Sequence, residues 1–505
     1  MSNLSASSPD TSNQLLKSSI TFFHIVFMVT AAAAPLVVVS AYIPISMAWG
    51  AGMATALTYA ATTLILLVFT VGFAQMAKRI TSAGAFYTFT TQGLGKPTGL
   101  AVGLTVMSAY SMISPAIAGG FGFYTSLLFE TYLGVKVAWY WCSAASLVLM
   151  WIISTYRITY GAKILSALLI VEVLIIAGLC LVTTGSGGAE GQMPQVFNPS
   201  QWSAAPAVGV GFFLAFWSWI GFETTAIYGE ETMDPKRAVP RATYIAVLTL
   251  GLFYTFAAYA GLVGFGSEST AKAESLVDQY FFELADIYTF HGVRVIMDFL
   301  VVTSFFACSF AFHNNATRYF YSLGRDGILP KALGRTHAEH KSPHIAAGIQ
   351  AIIAIITVAL FAVGGGDPLL HLGTWLPIFC TLAVIVVQLI VSLAVIGYFN
   401  RVGRNEPLAW WKTLLAPALG AIAQGIVVIL LLKNITFLAG SETMVVKLIP
   451  LYVVAIAALG YAYALYLRSS DRARYDMIGK LHDDELEEMF VDEIYVAEHE
   501  DRAKP

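Results

Sequence analysis

Thr30–Pro44, TAAAAPLVVVSAYIP, decides the fold: a proline follows four alanines in the middle of an apolar run. From Ser18 to Ala77 there is no Asp, Glu, Lys or Arg, a length far beyond the roughly 20 apolar residues that cross a bilayer once. The run therefore reads as two spans, 20–46 and 50–76, with Pro35 near the centre of the first. A proline has no N–H to give and its ring clashes with the preceding turn. Two readings fit: a helix that breaks at AAAAP, with small side chains leaving backbone N–H and C=O groups open to a polar solute, or a simple kink packed by small residues.

The same logic extends along the chain. Of its 505 residues, 57% are hydrophobic and 12% charged, about half the charge of a soluble domain, so lipid and neighbouring helices must solvate most of it. Further spans are expected at 98–128, 138–156, 161–184, 206–229, 239–265, 291–322, 345–363, 369–399, 409–432 and 446–467, giving an all-α integral membrane protein of twelve helices in a lipid bilayer. In this arrangement only Lys136, Lys272, Arg294, Lys433 and Lys447 fall on one side, and every other Lys and Arg falls on the other. The positive-inside rule then puts both termini in the cytoplasm.

Residues 1–19 read as a polar N-terminal tail without a cleavable leader, and 469–505 as an acidic cytoplasmic tail. The loop from Ser267 to Gly292 is expected to hold a surface helix. The small net charge lies in loops and describes no nucleic-acid face. Cys142, Cys180, Cys308 and Cys380 fall inside spans without metal-ligand spacing, so neither a metal nor a cofactor is expected. Nothing in the sequence specifies an oligomeric state. A channel would need a filter of carbonyl loops or charged rings, and an enzyme an intramembrane catalytic constellation; neither is visible. A transport-derived sensor is the remaining rival from another class.

The sixth span, VGVGFFLAFWSWIGFETTAIYGEE (208–231), mirrors the first. It too is interrupted near its centre, at Gly221, where glycine permits backbone angles that other residues resist. Interrupted helices at corresponding places in two halves point to a secondary transporter built from inverted repeats, because unpaired backbone at membrane depth is tolerated only where it lines a cavity.

FWSWIGFETTAIYGEETMDPKRAVPRA, followed by a polar eighth span ending in RYFYSLGRDGILPKAL, resembles the amino acid, polyamine and organocation permeases over residues 20–400. The resemblance implies a 5+5 inverted repeat with broken helices 1 and 6, a transport core at 20–400, and two further helices at 401–468. It implies alternating access for an amino acid or small amine, held between the broken helices by Ala32, Ala33, Ala34, Pro35, Leu36, Phe216, Ile220 and Gly221. In relatives a glycine-rich break stands where this chain has AAAAP. N–H groups at the start of the half-helix after Pro35 would take a carboxylate, and carbonyls from Phe216 to Ile220 an ammonium. Trp217 matches an aromatic that closes over the substrate in related exchangers, and its face would hold a cation with roughly 2 kcal/mol or more when desolvated. Trp219 is the alternative gate, and either Trp would otherwise serve packing.

Four further residues are candidates for coupling. Glu172 lies nine residues beyond Lys163, about 13 Å into the fifth span, too deep to snorkel out, whereas Lys163 at the helix start can reach the membrane surface. Similar proton-coupled permeases carry a lysine at the matching place in that span. Here Glu172 allows three readings: a proton carrier, a direct cation ligand, or the counter-ion of a neighbouring cation. Glu223 follows the sixth-span break, where a carboxylate costs about 2.5–3.5 kcal/mol on insertion scales; it reads as a proton carrier or a structural group tied to the gate. Ser309 and His313 share a face of the eighth span, with His313 a proton shuttle or a neutral buried imidazole, and Ser309 a ligand if sodium replaces the proton. Tyr110, Ser111, Ser114 and Trp375 are further candidates for the pocket wall. The loops EETMDPKRAVPRA and GRDGILP are expected to pair charges and shape the inner gate. Protons are the expected coupling ion, with sodium coupling or exchange as alternatives.

Overall fold

The computed structural model describes residues 15–16, 18–156, 159–402 and 409–481, with backbone alone for 159–164 and 402. The polar stretch up to residue 14, Lys17, the Lys163 side chain and the acidic stretch from 482 onward lie outside the described residues.

The described chain is helical, with one isolated parallel bridge between Ile20 and Thr232 and no strand. Its main helices are α1 (Phe22–Ala33), α2 (a continuous run of Pro35–Val37, a wide π turn at Val38–Tyr42, and Ile43–Trp49), α3 (Thr55–Ala77), α4 (Phe86–Leu94), α5 (Lys96–Leu133), α6 (Trp139–Tyr156), α7 (Thr159–Gly185), α8 (Val208–Trp219), α9 (Thr224–Ile227), α10 (Pro235–Phe265), α11 (Ser269–Leu276), α12 (Tyr280–Tyr288), α13 (His291–Arg325), α14 (His344–Val363), α15 (Gly373–Val402), α16 (Ala416–Lys433), α17 (Ile449–Ser470) and α18 (Arg472–Met477). Among the described residues, eleven helical segments are long and apolar enough to cross a membrane. The segment expected as the fourth span is the 18-residue α6, whose Trp, Tyr and Ser content leaves it outside that count. The connection after residue 266 carries two helices, α11 and α12, where one was expected; α12 buries Tyr280, Phe281, Phe282, Leu284 and Ala285.

The first span breaks at one residue. Ala34 adopts φ 45°, ψ 70°, the left-handed region, and Pro35 then opens α2, where its missing N–H is one the helix start would leave unpaired anyway. The second interruption runs from Ile220 to Glu223, with Gly221 at φ +108° between α8 and α9. A Cβ on Gly221 would lie 2.9 Å from Ala32 Cβ and 3.1 Å from the Phe312 ring. The two breaks therefore pack closely, Gly221 against the Ala32 methyl group, and small residues at the contact make this approach possible.

Side chains sort by solvent as a bilayer requires. Leu174, Leu181, Leu360 and Val363 are exposed, while Thr58, Thr62, Ser309, Gln350, Gln388 and Gln424 are buried and bond mostly to other helices or to the preceding turn. At one end of the bundle the two sequence motifs bind each other. Arg318 donates to Glu231 at 2.6 and 2.8 Å, both side chains being buried, and Arg325 pairs with Glu230 at 2.8 Å. The motifs are less loop-like than expected: Arg325 belongs to α13, and Pro235 opens α10. Ser19 and Ile20 N–H groups both donate to the Glu231 carbonyl, and Glu230 accepts from Ala83 N–H. The α18 segment closes the same end, with Gly479 N–H donating to Tyr87 Oη and Asp326 Oδ2, and Lys96 paired to Asp476.

Candidate functional site

A helix start leaves its first N–H groups without intrahelical partners. At α2, Pro35 has none to give, Val38 N–H returns to Ala34 O, and Leu36 N–H donates to Glu172 Oε1 at 2.5 Å. The same oxygen accepts from Ser304 Oγ at 2.9 Å. Glu172 is buried and joins no ion pair among the described residues. An acceptor oxygen at a helix start is electrostatically favourable, so α7 supplies the acceptor that the break in α1–α2 calls for. The opposite lip is capped as well: Ala33 O accepts from Tyr254 Oη at 2.8 Å, and Ala32 O from Cys308 Sγ at 3.0 Å. Three helices, α7, α10 and α13, thus seal one break.

The second break is sealed locally. Glu223 Oε2 accepts from Gly221 N–H at 3.1 Å, two residues back, and its Oε1 takes the Tyr110 hydroxyl from α5. Between the two breaks lies a tight cavity of about 20 Å³, lined by Ala32, Ala33, Ala34, Val37, Val38, Tyr42, Ile117, Trp217, Ser218, Ile220, Cys308 and Phe312. No charged side chain lines it. Tyr42 and Trp217 meet edge to face, with ring centroids 6.1 Å apart, and together wall one side.

Of the residues singled out in the sequence, Ala32, Ala33, Ala34, Trp217 and Ile220 reach this cavity. Pro35, Leu36, Phe216 and Gly221 are buried behind its wall as parts of the two breaks. Trp219 turns away and packs on Tyr59 and Tyr254, at centroid distances of 5.7 and 5.3 Å. Tyr110 serves Glu223 rather than the cavity. Ser309 donates to Ser114 O at 2.9 Å and approaches Ser114 Oγ at 3.3 Å, joining α13 to α5. His313, one turn along, is fully buried, and neither ring nitrogen has a hydrogen-bond partner among the described residues. Ser111 O accepts from Gln350. Trp375 lies apart, its Nε1 donating to Ala439 O.

The sequence reading did not single out Tyr42, Ile117, Cys308 and Phe312 in the lining, Tyr254 and Cys308 as caps, or Ser304 as the partner of Glu172. Cys308 and Phe312 are four apart, a helical spacing that ran alongside Ser309 and His313, but their apolar character made them indistinguishable from core.

A family profile described as amino acid permease matches residues 20–462. The low-affinity putrescine importer PlaP of Escherichia coli (strain K12) is 25% identical over 429 residues, covering 83% of this chain and 89% of the importer. The branched-chain amino acid permease BcaP of Bacillus subtilis (strain 168) is 22% identical over 366 residues, 67% of this chain and 74% of that permease. BcaP of Lactococcus lactis subsp. cremoris (strain MG1363) is 22% identical over 402 residues, 74% and 80% of the two chains.

Proposed function

The chain belongs to the amino acid permease family and is a multi-pass membrane transporter, not an enzyme; from that premise we propose that it is a secondary active transporter that moves a neutral amino acid or small monoamine inward by alternating access, coupled to protons. In this reading its spans form twelve helices, a 5+5 inverted repeat with two helices appended, both termini face the cytoplasm of a cell membrane, and the ion pairs Arg318–Glu231 and Arg325–Glu230 belong to the inner gate.

One observation carries the proposal: a cavity without charged lining lies between two broken helices whose ends present N–H and C=O groups, held here by side-chain caps such as Glu172 and Tyr254 that a substrate can replace. A zwitterion entering an apolar space needs partners for both charges, and helix ends of opposite polarity provide them. The relatives' printed solutes are a diamine and branched-chain amino acids. A diamine dication would want an anion at each end; the lining offers none, while Ala, Val, Ile and Phe side chains suit an apolar body. With about 20 Å³ of room, against the usual 300–1,000 Å³ of ligand pockets, the site must open further for a solute to enter, as alternating access requires. Glu172 and Glu223, both buried carboxylates beside the breaks, are the coupling candidates; His313, without a hydrogen-bond partner among the described residues but away from the lining, is third.

The test is uptake of labelled neutral amino acids and amines into empty proteoliposomes under an inward proton gradient, an inward sodium gradient, or neither. Accumulation driven by the proton gradient alone is expected. Accumulation with sodium alone would overturn proton coupling, and uptake only into preloaded vesicles would replace symport by exchange. Silence across the panel would favour a sensor.

A further inference from the structure

The carboxylate of Glu172 sits where the family reading places the carboxylate of the substrate. The amide of Leu36 is the first donor α2 can offer, because Pro35 has none, and it is already bound at 2.5 Å. Ala34 and Val37, on either side of that peptide, line the cavity. A carboxylate arriving there meets a carboxylate in possession, and two anions cannot share one donor in a site with no cation to hold them apart. We infer that the substrate's carboxylate and that of Glu172 take turns at the Leu36 amide, so that the coupled proton is the one that neutralises Glu172 when it is displaced. This rests on the transport reading above and specifies its coupling step.

The surroundings of Glu172 leave the proton as the available counter-charge. From α13 it faces Ser304 and Cys308, and from α10 Tyr254. α2 carries no charged residue. The acidic side chains of α12, Glu283 and Asp286, are engaged by Arg294 at the surface. No Lys, Arg or His pairs with Glu172 among the described residues.

The steps balance. With the carrier empty, Glu172 is ionised and holds Leu36 N–H and Ser304 O–H. A proton from the outer solution binds the Glu172 carboxylate and the substrate's carboxylate accepts Leu36 N–H. Ser304 can then accept from the protonated acid as readily as it donated to the anion, which makes it a positioning residue for both states. After inward release the proton leaves to the inner solution and Glu172 retakes the amide. Each carboxylate carried therefore requires one proton. An amine without a carboxylate leaves Glu172 at the Leu36 amide, so no proton accompanies it.

The experiment compares a matched pair, leucine and isoamylamine, in proteoliposomes of the full chain with a pH-reporting dye inside. Proton influx with leucine and none with isoamylamine is the expected result. In E172Q, whose amide oxygen still accepts from Leu36 N–H, leucine should exchange across the membrane but lose gradient-driven accumulation, about tenfold for a gradient of one pH unit. S304A should displace the pH profile of leucine uptake in the wild-type background and leave E172Q unaffected, with S304T restoring it. Equal proton influx with both solutes, or undiminished proton-driven accumulation in E172Q, would overturn the inference while leaving the transport reading intact. If neither solute moves or competes under any gradient, the transport reading fails and the inference with it.

Discussion

The two breaks differ in who seals them. At Ala34 the caps come from far along the chain: Glu172 on α7, held in turn by Ser304, Tyr254 on α10 and Cys308 on α13. At Gly221 the N–H cap is Glu223, two residues away, with Tyr110 as its outside tie. A locally sealed break can keep its shape while its neighbours move. A break sealed from three other helices changes its capping whenever those helices shift, which suits the half of the site that must respond to substrate and proton. The backbone chemistry differs in parallel: Gly221 takes φ +108° freely, whereas Ala34 holds φ 45° with a side chain attached.

The sharpest way to break the comparison is G221A. The added Cβ meets Ala32 Cβ at 2.9 Å and the Phe312 ring at 3.1 Å, on top of backbone strain of about 1–3 kcal/mol. Uptake should be lost, and the melting temperature of the purified protein should fall below that of every other variant named here. A G221A protein with normal melting and uptake would mean that the second break does not need its glycine geometry.

Next come the carboxylates. E172L strands the Leu36 amide and the Ser304 hydroxyl, each a buried donor whose loss of partner costs about 1–3 kcal/mol, whereas E172Q keeps an acceptor and should melt close to the wild type. E223L strands Gly221 N–H and the Tyr110 hydroxyl in the same way. The difference should appear in function: E223Q is expected to retain more gradient-driven uptake than E172Q, because the backbone amide it caps lies in its own segment and its one outside tie is the Tyr110 hydroxyl. Equal losses would erase the distinction between remote and local sealing.

What the sequence made legible and what it hid follow the same line. Pro35 and Gly221 announced the breaks because their backbone limits are intrinsic to the residue. The depth of Glu172 was legible because a carboxylate in an apolar run is conspicuous. Its bond to Leu36 was not: it joins residues 136 apart, and none of the three readings of Glu172 included a helix-start cap. Tyr42, Cys308 and Phe312 were hidden because an apolar or small side chain looks alike whether it faces a cavity or a core. Trp217 and Trp219, two apart in a helix, had to face different ways; packing then assigned one to the cavity and the other to Tyr59 and Tyr254.

Y254F tests the opposite lip at lower amplitude. It removes the hydroxyl that caps Ala33 O at 2.8 Å and keeps the ring, which packs on Trp219. Loss of one buried hydrogen bond predicts about 1 kcal/mol of destabilisation, read as a small drop in melting temperature, and a weaker apparent affinity for substrate if that carbonyl is part of the ammonium site. Unchanged melting would show that another donor reaches Ala33 O.

The smallest effect is expected at A34G, and its sign is informative. Holding an L-residue in the left-handed region costs about 1–2 kcal/mol, and glycine removes that cost; the greater freedom of glycine in the unfolded chain returns about 0.4–1 kcal/mol. The balance is a stabilisation below about 2 kcal/mol, seen as equal or slightly higher melting. Substitution toward glycine at most helical positions lowers stability, so a clear fall would mean that the left-handed turn at Ala34 is not the resting geometry of the first break. Because Ala34 also lines the cavity, the same variant separates backbone from contact: an unchanged fold with altered substrate selectivity would assign the alanine's methyl group to recognition, and leave the shape of the break to Pro35 and the caps from α7, α10 and α13.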